Sequence, residues 1–152
     1  LDIRTKAGWF VKVKGRGVMM MADANNFEPR MYDHVQAAMG DADVIFIGME
    51  CEGAPMSWLY GPLLLKQPVR KHDMARRLDG CDFPKASQLV ERFHPKQVYV
   101  YALGQEPWLG HVAALKYTDA SPAMVESNKL IELCRSKGMV AERLYLTREI
   151  AF

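Results

Sequence analysis

Three short, uninterrupted apolar runs decide most of what this chain can fold into. They are Val18-Met19-Met20-Met21-Ala22, Val44-Ile45-Phe46-Ile47-Gly48 and, after Gln97, Val98-Tyr99-Val100-Tyr101. Each is too short for a buried helix and is bounded by turn-forming or polar residues, so each reads as a buried strand. Trp9 to Lys14 alternates, and Gly15-Arg16-Gly17 turns it into the first run as a hairpin. The intervening text has helical spacing. Pro29 opens a helix with Met31, Val35, Ala38 and Met39 on one face, closed by Gly40. Asp82 caps a second, in which Ala86, Leu89, Val90 and Phe93 follow the i, i+3, i+4, i+7 rule up to Pro95. Ser121-Pro122 starts a third, with Leu130, Ile131 and Cys134 on its face and Gly138 at its end, before a last strand over 141–146. Residues 56–80 are irregular, a short helix plus an excursion, and 104–110 form a loop dense in Gly, Pro and aromatic residues. The order β-β-α-β-(α)-α-β-α-β gives an α/β domain (α+β layered), whose functional groups sit where strands end and loops begin.

At 152 residues the chain is one domain in size, and 49% hydrophobic with 25% charged residues excludes a disordered or low-complexity segment. A net charge of +2 gives no global field for nucleic acid, so any basic site is local. Cys51, Cys81 and Cys134 are odd in number and lack metal-ligand spacing, which fits reduced thiols in the cytoplasm. The apolar runs are far too short to span a bilayer, so no membrane partner is expected. The chain begins at Leu1 and reaches a strand almost at once, which makes it the expected later portion of a longer protein.

Three strand ends carry chemistry. Asp23 follows the first apolar run and suits a metal ligand, a base or a helix cap. Glu50 and Glu52 flank Cys51 after the second run, where paired carboxylates suit a hard cation or a shared proton, and equally a solvated loop. Glu106 lies beyond the third. The histidines His34, His72, His94 and His111 form no zinc-type cluster. His34 reads as a surface residue and His94 as a helix-end residue. His72, set in Arg70-Lys71-His72-Asp73, is the one placed to join a ligand set or face an anion. Lys66, Arg70, Lys71, Arg76 and Arg77 concentrate positive charge, either as a solvated helix face or as a fork for a carboxylate or phosphate. Trp58 and Tyr60 precede this cluster without interleaving with it, which argues against nucleic acid. No nucleophile elbow, P-loop or dinucleotide fingerprint is present.

The Val18-to-Asn26 text, the Asp43-to-Pro55 text and Pro95-Lys-Gln-Val-Tyr-Val-Tyr-Ala-Leu-Gly104 resemble the second half of a metallo-β-lactamase-fold domain, from Gly8 onward. The stretches 48–65 and 101–110 are similar to a bacterial subgroup of metal-dependent hydrolases. The resemblance implies the second half of an αββα sandwich, one partial domain over 1–152, with the H-x-H-x-D-H motif upstream of this chain. It implies two divalent metal ions, zinc or else iron or manganese, with Asp23 as bridging ligand. Where the family places its last histidine this chain has Ala102-Leu103-Gly104, so the second metal needs Glu50, His72 or Glu106.

The leading expectation is therefore a metal-dependent hydrolase of a small-molecule substrate. Arg70, Lys71, Arg76 and Arg77 are expected to favour an anionic one. A diiron oxygenase of the amino-acid β-hydroxylase type shares the fold and replaces a histidine ligand by glutamate, which shifts preference from zinc towards iron or manganese. A domain that has kept the fold and lost the metal site is the third reading. The chain alone is expected to bind metal weakly and, with an apolar sheet face bare, to self-associate as a homo-oligomer.

Overall fold

The structure, a computed structural model, describes residues 8–21, 29–51, 57, 61–74, 81–103, 105, 107–112 and 116–151. β1 (Trp9–Val13) pairs antiparallel with β2 (Arg16–Met21), placing Trp9 opposite Met20. The turn falls one residue earlier than the sequence indicates. Lys14 and Gly15 form it, both at positive φ (50° and 79°), as a two-residue hairpin turn matched to strand twist requires. Gly17 lies inside β2 for a different reason: a Cβ there would stand 2.9 Å from the Asp41 carbonyl oxygen and from the Phe10 ring.

From β2 onward every pairing is parallel. β3 (Val44–Gly48), β4 (Gln97–Tyr101) and β5 (Val140–Arg143) complete a five-stranded sheet in the order β1-β2-β3-β4-β5. The helices are α1 (Pro29–Met39), α2 (Arg70–Met74), α3 (Phe83–Phe93), α4 (Pro107–Val112) and α5 (Pro122–Ser136), with a 3-10 turn at Gly61–Leu63.

One face of the sheet is covered by α1, α3 and α5. Met19, Met21, Ile45, Ile47, Val98 and Val100 point into this layer and meet Leu89, Val90, Phe93, Leu130 and Cys134. Burying a large apolar side chain of this kind stabilises the fold by roughly 1.5–3 kcal/mol. On the other face Val18, Val44 and Tyr99 form a smaller cluster with Phe46, Leu144 and Ile150, and Phe46 stacks on Tyr99 with ring centroids 5.4 Å apart. Trp9 (67% exposed) and Met20 (41%) share this face and lie open among the described residues. A sheet with helices on one side and apolar residues on both is the layered α/β half-sandwich that the sequence resemblance implied.

Local departures have local causes. The core-facing side of α1 carries Tyr32 and Val35, while Met31 and Ala38 are exposed. The larger Tyr32 ring takes the inward position, edge-on to Phe93 at 6.4 Å. Asp82 caps α3 as expected, its Oδ1 accepting from the Lys85 N–H at 3.1 Å. Ser121 precedes α5 but makes no side-chain cap; its Oγ accepts from the Thr118 N–H at 2.8 Å instead. The expected loop at 104–110 contains helix α4, with Pro107 as its first residue. β5 stops at Arg143, short of the expected 146: Leu144 still donates its N–H to the Val100 carbonyl at 2.8 Å and packs on the second cluster, and Leu146 is left-handed. Cys51, Cys81 and Cys134 are free thiols. No helix among the described residues is long and apolar enough to cross a membrane.

Asp43 fastens the ends of the strands opposite their carboxyl termini. Its Oδ2 accepts from the Gly17 N–H at 2.9 Å and its Oδ1 from Lys96 Nζ at 2.7 Å. Its own backbone reaches the same partners, N–H to Gly17 O at 2.8 Å and carbonyl from Lys96 N–H at 2.9 Å. The Lys96 contact first, then the Gly17 N–H, hold the carboxyl below its usual pKa. A lowered carboxylate pKa contributes stability that is present above the unfolded value, about 4, and is lost as pH falls through the folded value. Asp43→Ala in the full-length protein should therefore lower stability by about 1–3 kcal/mol at neutral pH. Asp43→Asn should make acid unfolding below about pH 4 shallower. Denaturant melts at pH 7 and pH 3 check both.

Candidate functional site

Parallel pairing brings the carboxyl ends of β2, β3 and β4 to one edge of the sheet. β2 ends on the fully buried Met21. β3 ends on Gly48, opposite Tyr101 of β4, and continues through buried Met49 into half-buried Glu50 and Cys51. Both strands exit through a non-glycine residue in the left-handed region, Cys51 at φ 63° and Ala102 at φ 56°. Such a conformation costs of order 1 kcal/mol or more and persists only where its surroundings enforce it, a pattern concentrated at functional sites.

Among the described residues, the groups behind this edge are thiols, phenols and the carboxylates of Glu50 and Asp82. Cys51 Sγ lies 3.4 Å from the Met49 carbonyl oxygen and 3.6 Å from that of Cys81, so the thiol faces inward. Burial first, and the nearby Asp82 second, push the Cys81 thiol up to about 12. Burial likewise raises Tyr32 on α1, with Cys81 adding to it. Tyr117 is raised by burial and then by Glu50 and Cys51, which places its phenol within electrostatic reach of both. Glu50 thus sits as a negative charge at the mouth of β3, beside a phenol that holds its proton.

Two further contacts frame the edge. Ser57 donates from its backbone N–H and from its Oγ to the two carboxylate oxygens of Asp73, each at 2.7 Å, tying the segment beyond Cys51 to α2. Arg143, at the end of β5, donates to Ser127 Oγ from Nη2 at 2.9 Å and from Nε at 3.2 Å, while that hydroxyl donates to the Ala123 carbonyl at 2.6 Å. Burial lowers the pKa of Arg143.

The expected site residues divide as follows. Glu50 stands at the strand mouth. His72 lies on α2, with its side chain outside the description. Arg70 and Lys71 are exposed on the same helix. Asp23, Glu106, Arg76 and Arg77 lie outside the described residues. His34 and His111 are exposed, and His94 closes α3, with Nδ1 3.2 Å from Asp41 Oδ1. Among the described residues no three His, Cys, Asp or Glu side chains converge to hold a metal. Tyr117 and the Ser57–Asp73 pair were not singled out from the sequence, since neither belongs to a motif and the latter joins positions 16 apart.

No family model matches the chain. It is 45% identical over 150 residues, 99% of its length, to the 4-amino-L-phenylalanyl-[CmlP-peptidyl-carrier-protein] 3-hydroxylase of Streptomyces venezuelae, of which it spans 28%. Among solved structures, CmlA, a diiron beta-hydroxylase from Streptomyces venezuelae, matches all of this chain and 29% of its own at a TM-score of 0.86 and 44% identity. A mutant form of that hydroxylase matches 96% of this chain and 27% of its own at a TM-score of 0.77, again at 44% identity. These matches overturn the hydrolase expectation, with its zinc and manganese options: the proteins that share this sequence and backbone are hydroxylases, and the one named for its metal holds iron.

The thiols offer a direct check on the geometry of this edge. In the native full-length protein at pH 8, Cys81 is expected to carry thiolate in only about one molecule in ten thousand. Cys134, raised to about 11 by burial, is similarly protected. Iodoacetamide should label half-buried Cys51 well before the other two; equal labelling by peptide mass mapping would show that the inner thiols are open to solvent.

Proposed function

We propose that this chain is the C-terminal portion of a metallo-β-lactamase-fold domain in a diiron β-hydroxylase, acting on an amino acid tethered to a peptidyl carrier protein. The observation that carries the reading is the 45% identity to such a hydroxylase across 99% of the chain, matched by a TM-score of 0.86 to the diiron hydroxylase CmlA. A carrier-bound substrate takes the place of the free small molecule expected from sequence.

The donor chemistry at the strand mouth fits iron. Glu50 is a half-buried carboxylate whose charge is felt by a neighbouring phenol, the kind of hard oxygen donor that iron accepts readily. Asp23, two residues beyond Met21 in sequence, is the bridging ligand in this reading, and His72 a nitrogen donor. The remaining ligands come from outside this chain. A diiron centre held by Asp23, Glu50 and His72 with ligands from elsewhere would supply oxygen activation for β-hydroxylation, a reaction that takes O₂, two protons and two electrons from an external reductant and yields one water beside the hydroxylated product.

The chain's own residues do simpler work. Glu50 fixes a negative charge at the end of β3. Tyr117, with its pKa raised, keeps its proton and remains a neutral donor beside that charge. Met49, Met21 and Leu103, buried at the same edge, exclude water from behind the site.

Asp23→Ala and Glu50→Ala in the full-length protein should each lower the iron content from two per chain, measured by elemental analysis. The wild-type protein, reduced and given an aminoacyl carrier protein, should consume oxygen with the appearance of a product heavier by one oxygen atom. Iron content unchanged in both variants would remove these residues from the site, and an iron-loaded enzyme that consumes no oxygen would remove the reaction.

A further inference from the structure

The described surface that departs most from an ordinary soluble one is the excursion at 61–74, between β3 and α3. Leu63 is 75% exposed, Leu65 107% and Val69 63%. Holding three large aliphatic side chains in water forgoes roughly 1.5–3 kcal/mol each, and three of them exposed within one short excursion have the composition of an interaction site. Among them stand three exposed cations, Lys66, Arg70 and Lys71.

Among the described residues no carboxylate pairs with Lys66, Arg70 or Lys71. Asp73, the acid within the segment, has both oxygens committed to Ser57 at 2.7 Å. That clamp also fixes where the patch lies: Ser57 is six residues beyond Cys51, so at most about 20 Å of chain separates the anchor of α2 from the strand mouth. Aliphatic anchors edged by unpaired cations have the composition of a protein-binding surface for an acidic partner. Single-stranded nucleic acid calls for aromatic platforms, and residues 61–74 contain no aromatic ring other than that of His72.

We propose that the 61–74 excursion is the docking surface for the peptidyl carrier protein. Leu63, Leu65 and Val69 seat an apolar face of the carrier, and Lys66, Arg70 and Lys71 meet its acidic rim and the phosphate of its phosphopantetheine arm. The proposal rests on the hydroxylase reading above, and it names the surface through which that reaction receives its substrate.

The test uses the full-length iron-loaded protein and two probes. One is the CmlP carrier protein charged with 4-aminophenylalanine on its phosphopantetheine arm; the other is 4-aminophenylalanyl pantetheine thioester with no carrier. Leu65→Ser combined with Lys66→Glu should raise the Kd for the charged carrier by about tenfold or more and flatten its salt dependence. Oxygen uptake with the carrier-free thioester should stay at the wild-type rate, which also shows that the variant is folded. An unchanged Kd, no carrier binding by the wild type, or a variant that alters only self-association in sedimentation would each overturn the proposal. If carrier binding depends on the patch while neither probe drives oxygen uptake in the wild type, docking stands and the hydroxylase reaction falls.

Discussion

Parallel pairing from β2 to β5 is the constraint on which the rest of this structure depends. Parallel neighbours cannot be joined by a hairpin, so each successive strand requires a crossover, and crossovers of this kind share one hand. Because the strands also follow one another in strict spatial order, α1, α3 and α5 all fall on the same face. The same rule sends every strand after the hairpin in one direction, so Met21, Glu50 and Leu103 emerge along a single edge. Asp43 secures the opposite edge, where Gly17 of β2 and Lys96 before β4 converge on one carboxylate.

A one-sided helical layer leaves the second face of the sheet with a different task. Phe46, Tyr99 and Tyr101 form a contiguous aromatic group there, with Phe46 stacked on Tyr99 and edge-on to Tyr101 at 6.1 Å. Leu144 and Ile150 cover only part of it. The chain spans 28% of its curated relative, and an apolar face of this kind is what a layered domain turns towards its other sheet.

The strands were legible because uninterrupted apolar runs have few alternatives, and α3 because its cap and its four buried positions agree. The inward side of α1 was not, since Met31 and Tyr32 are both plausible inward residues and only packing against Phe93 chooses between them. Helix α4 was hidden by the Gly, Pro and Trp content of its segment, which reads as a turn until Pro107 is seen as a first helical residue. Tyr117 and the Ser57–Asp73 clamp arise from contacts between distant parts of the chain that no local pattern encodes. The class of chemistry was the least legible feature, because fold resemblance does not carry a reaction, and the hydrolase expectation fell only to the comparison with hydroxylases.

The helical side of the sheet is also, chemically, the most oxidisable part of the molecule. Met19, Met21 and Met49, with Cys81 and Cys134, are packed into it almost without exposure. Sulfoxide formation at any of those methionines would place a polar, chiral group in a closed interior and open it. Met20 and Met31 carry the same sulfur chemistry on the outside, so a diffusing peroxide meets them first. These five methionines thus divide into an outer pair and a guarded inner three, and the tightness of the inner packing decides how slowly the buried sulfurs oxidise.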